Sequence, residues 1–121
     1  MAKEIRGIVV PVVTPFREDE SINEDALRQI VDYLIAAGVH GLFPSGSQGE
    51  LWALSTEEKM RVMDVVIEQA AGRVFVMPST GAVTTRESIA LTQHAERAGA
   101  DAVSVITPYF IKPSADELRR H

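Results

Sequence analysis

The chain has no cysteine, which excludes a disulfide framework, a thiolate nucleophile and any cysteine-based metal site. A basic excess is also missing. Twelve Lys and Arg stand against 17 Asp and Glu, for a net charge of −5 and a pI near 5.1. Neither a nucleic-acid partner nor an anionic membrane surface is expected, because both call for a basic patch. No apolar run approaches the roughly 18 residues of a membrane span. The opening Met1-Ala2-Lys3-Glu4-Ile5-Arg6 lacks the apolar core of a secretory signal, so a cytoplasmic location is expected. What remains is a chain of 121 residues, 45% hydrophobic and 24% charged, an ordinary composition for one modest globular domain.

Its informative feature is a repeating unit of short apolar strand, polar turn and amphipathic helix. Strands are expected at 8–13, 41–43, 74–77 and 102–106, most of them dense in Val, Ile or Phe, as strands buried on both faces should be. The segment Gly41-Leu42-Phe43 is the shortest and is flanked by Gly and Pro. Behind Asn23, a helix N-cap, Ala26, Leu27, Ile30, Val31, Leu34 and Ile35 follow helical spacing. Ser55-Thr56-Glu57-Glu58, Thr84-Thr85-Arg86-Glu87 and Ser114-Ala115-Asp116-Glu117 read as capping boxes that open three more helices. Ala37-Gly38, Ala71-Gly72 and Ala98-Gly99 place glycine where a left-handed residue closes a helix.

Units of roughly 30 residues in this order imply a parallel α/β sheet with right-handed crossovers. Two architectures satisfy the pattern: a (β/α)8 TIM barrel, or an open doubly wound sheet. The fourth helix starts well and meets His121 within a turn. The expectation is therefore that residues 1–121 are the N-terminal half of a single barrel domain, about its first four β/α units, with no linker or second domain.

In either architecture the site lies at the C-terminal ends of the strands. Those ends read Thr14-Pro15-Phe16, Pro44-Ser45-Gly46-Ser47-Gln48-Gly49-Glu50, Pro78-Ser79-Thr80-Gly81-Ala82 and Thr107-Pro108-Tyr109-Phe110, whereas the opposite turns are plain Ala-Gly steps. In the second loop, Gly46 and Gly49 permit left-handed or tight backbone. Exposed N–H groups there would form an anion-binding nest, and Ser47 would add a hydroxyl for a carboxylate or a proton relay. The alternative is an ordinary βα loop of small polar residues. The loop lacks both G-x-G-x-x-G and the Walker lysine, which weighs against a small phosphate-binding α/β domain.

Three segments carry a family resemblance. Residues Gly41 to Glu50 resemble the G-[ST]-T-G-E region of the dihydrodipicolinate synthase / N-acetylneuraminate lyase family, Val12-Val13-Thr14-Pro15-Phe16 its first strand, and Thr107-Pro108-Tyr109-Phe110-Ile111-Lys112-Pro113-Ser114 its T-P-Y-Y-x-[KR]-P-S segment. They fall in family order and together span nearly the whole chain. The resemblance implies a class I, Schiff-base lyase or aldolase acting on pyruvate or another 2-keto acid, with a lysine amine and no cofactor or metal. It implies that Ser47 acts in a proton relay and, with Gln48, binds the pyruvate carboxylate. Gln48 stands where the family usually has Thr. It further implies that Tyr109 and Phe110 lie at a subunit interface of a homo-oligomer, a dimer or tetramer. Phe110 replaces the second Tyr of the family's pair and cannot pass a proton.

The resemblance also places the Schiff-base lysine and the relay tyrosine beyond His121. Lys3 lies in the N-terminal tail, Lys59 is expected to face out from a helix as a solvated cation, and Lys112 lies in a loop. The chain alone is therefore expected to be inactive. His40, His94 and His121 share no metal-ligand spacing, and His94 is expected on a polar helix stripe. Glu50 reads either as a general base or as a partner for loop amides, and Glu57, Glu58 and Glu87 as helix-start residues. Leu51 and Trp52 read as packing or interface positions, and Ser79 and Thr80 as the rim of a pocket. Within the family these motifs resemble a dihydrodipicolinate synthase-like enzyme. A 2-keto-3-deoxy sugar-acid or sialate-type aldolase remains open, as does a non-catalytic half-barrel that self-associates through its open edges.

Overall fold

The computed structural model describes residues 4–121; Lys3 lies outside them. Strand β1 (Val9–Pro11) leads to helix α1 (Glu24–Ala36), β2 (Gly41–Phe43), α2 (Thr56–Ala70), β3 (Phe75–Val76), α3 (Thr85–Ala98) and α4 (Ala115–Arg120). The sheet is parallel in the order β1-β2-β3, with Val10 beside Leu42 and Leu42 beside Val76. Residues 102–106 do not form the full strand expected. They join the sheet at one parallel bridge, Ser79 to Ser104, where the Thr80 N–H donates to Ser104 O and the Ser104 N–H to Pro78 O, each at 2.9 Å. The other three strands are likewise shorter than or equal to their sequence runs. A strand at the edge of a sheet has a hydrogen-bonding partner on one side only, so its ladder ends early.

Strand order follows chain order, and the three long helices form one layer in which α2 lies between α1 and α3. An open doubly wound sheet would reverse its order and place helices on both faces. Winding in one direction, with helices on one face, is the build of a barrel. Side chains alternate across the sheet. Val12, Leu42 and Val76 point to the helices and join Leu27, Val31, Val62, Val65 and Val66 in the main core, while Met63, Leu91, Ala95 and Ala82 fill the α2–α3 seam. Val9, Gly41 and Phe75 share the other face in register. Gly41 lies directly against the Phe75 ring and leaves no room for a Cβ.

The caps explain where the helices start. Asn23 accepts from the Ala26 N–H at 3.1 Å, and Ser55 and Ser114 form complete boxes with Glu58 and Glu117. Thr84 forms only half of the box expected of it. Its hydroxyl accepts from the Glu87 N–H at 3.3 Å, but the Glu87 carboxylate turns to Lys59. Gly38, Gly72 and Gly99 all have positive φ at the helix ends, as expected. On the surface, Arg61 clamps Glu24 through two bonds of 2.6 Å and Arg73 pairs with Asp32, locking α1 to α2. Exposed pairs of this kind contribute at most about 1 kcal/mol each. Among the described residues, no helix is long and apolar enough to cross a membrane.

Candidate functional site

The loop between β2 and α2 is closed by its own backbone hydrogen bonds. Its Gly49 N–H donates to Gly46 O at 3.0 Å, Glu50 N–H to Ser47 O at 3.1 Å and Leu51 N–H to Gly46 O at 3.3 Å. Of the left-handed or tight backbone expected at Gly46 and Gly49, the loop takes the tight form; the positive φ values fall on Ser45 (58°) and Glu50 (56°). The glycines serve close approach. A Cβ on Gly46 would press into the Phe43 ring, and one on Gly49 would sit 2.9 Å from the Val12 carbonyl oxygen. Left-handed geometry costs a non-glycine residue on the order of 1–2 kcal/mol, so it persists only where the surroundings enforce it.

That construction leaves Ser47 and Gln48 exposed at the tip while Ser45, Gly46 and Gly49 are buried. The backbone N–H groups of Gly46, Ser47 and Gln48 have no acceptor among the described residues. Consecutive free amides beside a hydroxyl are the donor set that a carboxylate requires. Glu50 is exposed, and its carboxylate bonds none of the loop amides among the described residues.

Tyr109 and Phe110 lie on the same rim, at the end of the fourth sheet segment. Tyr109 is half-buried. Phe110 is 94% exposed with φ at 80°, an outlier for a bulky residue. A groove of about 440 Å³ runs along Thr107, Pro108, Tyr109, Phe110 and Lys112. A second, of about 470 Å³, lies between Phe16, Arg17, Glu20, Glu50 and Glu58. Neither groove includes Ser47 or Gln48.

Several expectations are corrected here. Lys59 is not a solvated surface cation: it is 7% exposed, and its ammonium donates to Glu87 at 2.9 Å. Glu87 also accepts from the Thr56 hydroxyl at 3.1 Å. The hydrogen-bonded Lys59 ammonium holds the Glu87 carboxyl below its ordinary value, against the burial that raises it. Glu87 is thus an inter-helix partner as well as a first-turn residue of α3. The signal was present, since Lys59 begins the stripe Lys59, Met63, Val66, Ala70 at helical spacing, all buried. Thr80 is fully buried rather than on a rim and accepts from the Thr92 hydroxyl at 2.8 Å. His94, expected on a polar helix stripe, directs its Nε2 to Asp64 at 2.7 Å across the α2–α3 seam. Leu51 is buried and Trp52 exposed. Sequence reading took Thr14 only as part of a motif and missed its buried hydroxyl, which donates to Gly49 O at 2.8 Å.

A parallel sheet wound in one direction, with a donor-rich loop at the C-terminal end of its second strand, defines a segment of a (β/α) barrel. The chain belongs to the dihydrodipicolinate synthetase family, whose model matches residues 4–121. It is 45% identical over 116 residues to the 4-hydroxy-tetrahydrodipicolinate synthase of Pelobacter propionicus, covering 96% of this chain and 40% of that protein. Among solved structures it resembles YagE, an E. coli prophage protein of the dihydrodipicolinic acid synthase family in complex with pyruvate. The TM-score is 0.93 at 41% identity, over 96% of this chain and 39% of that one. It also resembles CdNal from Clostridium difficile in complex with mannosamine, with a TM-score of 0.94 at 30% identity, over 98% of this chain and 41% of that one. The chain thus spans about 40% of the length of these relatives.

Proposed function

We propose that this chain supplies the carboxylate-binding part of a pyruvate- or 2-keto-acid-dependent Schiff-base lyase, most nearly a dihydrodipicolinate synthase. The observation that carries the reading is the tip at Ser47 and Gln48. Its free amides and hydroxyl occur in a chain 41% identical to a protein whose structure holds pyruvate. In the proposed chemistry a lysine amine adds to the keto carbon and water leaves. The protonated imine then accepts the electron pair released as a neighbouring C–H or C–C bond breaks. Ser47 and Gln48 fix the carboxylate so that the keto carbon faces the amine, and Ser47 passes a proton.

The amine is to come from the part of the barrel this chain does not span. Lys59 is committed to Glu87 on the helix side, and Lys112 is exposed in a loop. The 121-residue chain treated with pyruvate and borohydride is expected to give no trapped adduct by mass spectrometry. An adduct on Lys3, Lys59 or Lys112 would overturn that assignment.

The reading is tested by joining residues 1–121 to the remaining portion of the Pelobacter propionicus synthase. The chimera should form the trapped adduct and condense pyruvate with aspartate semialdehyde. Ser47→Ala should lower its kcat/KM by about 100-fold, the scale of a lost proton-transfer group. A chimera that forms the adduct yet turns over only 2-keto-3-deoxy acids would shift the substrate to a sugar-acid aldolase, with Gln48 as the first residue to exchange for Thr. The outward Phe110 ring at positive φ supports a subunit contact for Tyr109 and Phe110 in a homo-oligomer, and a cytoplasmic location accords with this chemistry.

A further inference from the structure

A loop can offer amides to a carboxylate only if it is held in one orientation, since each misdirected N–H forfeits a hydrogen bond. The tip at Ser47 and Gln48 has no side-chain bond of its own among the described residues, so its orientation comes from below. Directly below is the C-terminal end of β1. The Thr14 hydroxyl, 7% exposed, donates to the Gly49 carbonyl at 2.8 Å. The Val12 carbonyl oxygen lies where a Gly49 Cβ would come within 2.9 Å. Thr14 itself stands on a rigid base. Val12 N–H donates to Phe43 O at 3.0 Å, and Asn23 N–H holds Pro15 O at 2.8 Å.

We propose that Thr14 is a positioning residue whose hydroxyl, through the Gly49 carbonyl, sets the direction in which the Gly46, Ser47 and Gln48 amides point. The proposal rests on the carboxylate-binding reading for what the tip binds, but not for how the tip is held. Gly49 is the hinge of the arrangement. Its N–H closes the turn onto Gly46 O at 3.0 Å, while its carbonyl is pinned from β1. The strained φ values at Ser45 and Glu50 bracket the same turn. Without the pin, the turn can relax that strain by rotating the peptide between Gly49 and Glu50, which swings the tip away from its functional direction.

The test compares Thr14→Val, which removes the hydroxyl at nearly constant shape, with Thr14→Ser, which keeps it. Amide hydrogen exchange in the 121-residue chain should show Gly49, Glu50 and Leu51 exchanging about tenfold faster in Thr14→Val, the effect of one lost buried hydrogen bond. The Thr14→Ser variant should match the parent, and α3 amides should not change in either. Pyruvate titration followed at the Ser47 and Gln48 amides should weaken about tenfold in Thr14→Val only. Unchanged protection in Thr14→Val, equal loss in both variants, or uniform acceleration across the chain would each overturn the proposal. Absence of any pyruvate response in the parent chain would sink the carboxylate-binding reading, while the exchange pattern would still decide the role of Thr14.

Discussion

Leu42→Ala is expected to cost the chain about 3–5 kcal/mol of stability, the upper part of the range for a buried leucine. Leu42 is 0% exposed in the middle strand, and β1 and β3 pin its backbone from both sides. Its side chain meets core residues from α1 and α2, among them Leu27, Val31 and Val62. A cavity can close only if its walls move inward, and a hydrogen-bonded central strand does not move readily. The loss is large against the 5–15 kcal/mol that holds a typical domain together. Denaturant unfolding should show a much lower midpoint with the slope unchanged. For contrast, Ile89→Ala on α3, 52% exposed, should cost below about 1 kcal/mol. A Leu42→Ala midpoint as close to the parent as that of Ile89→Ala would refute the placement of the core.

The second large effect concerns charge. Glu87→Gln should destabilise the chain by about 2–3 kcal/mol, because it leaves the buried Lys59 ammonium without its counter-charge. The value is set toward the lower end because the Glu87 side chain keeps 28% of its surface in solvent. The double variant Lys59→Met, Glu87→Leu should recover most of the loss, since apolar packing replaces a desolvated pair without an orphaned charge. The pH dependence has a definite sign. The folded-state value of Glu87 lies below its ordinary 4.5, so the folded protein binds the proton less readily than the unfolded chain. The stabilisation is complete above 4.5 and is lost as pH falls through the lower folded value. A urea series from pH 7 to pH 3 should show the parent losing more stability than the double variant. Parallel curves for the two proteins would count against the pair.

The second effect touches a place where sequence and structure part company. Lys59 reads as a surface cation because a lone Lys in an amphipathic run is normally solvated. The periodicity that identified α2 could not show that the helix has neighbours on two sides, α1 and α3, which leave free only the stripe through Glu57, Arg61 and Glu68. Glu87 reads as the closing residue of a capping box for a related reason. Its spacing from Thr84 is correct, and the local bond from Thr84 does form. A buried ammonium from α2 competes for the carboxylate more strongly than an exposed backbone N–H, since a charged, desolvated hydrogen bond is worth more than a neutral, solvated one.

The loop at residues 44–50 divides in the same way. Its place after β2, its small residues and its polar tip follow from sequence. Sequence leaves open whether Gly46 and Gly49 serve left-handed or tight backbone, and in the fold close packing rather than φ demands glycine there. No local pattern reports that Val12 and Thr14, more than 30 residues earlier, press against Gly49.

Helix starts and ends and the alternation of strand and helix were written in short-range chemistry: caps within three or four residues, apolar spacing within a turn, glycine at helix ends. Such interactions join residues close in sequence, so the chain order carries them. The burial of Lys59 with Glu87, the direction of the Ser47–Gln48 tip and its anchorage on Thr14 were decided only when distant segments packed. Those outcomes depend on which faces meet and what competes for each polar group, and no sequence window contains both partners.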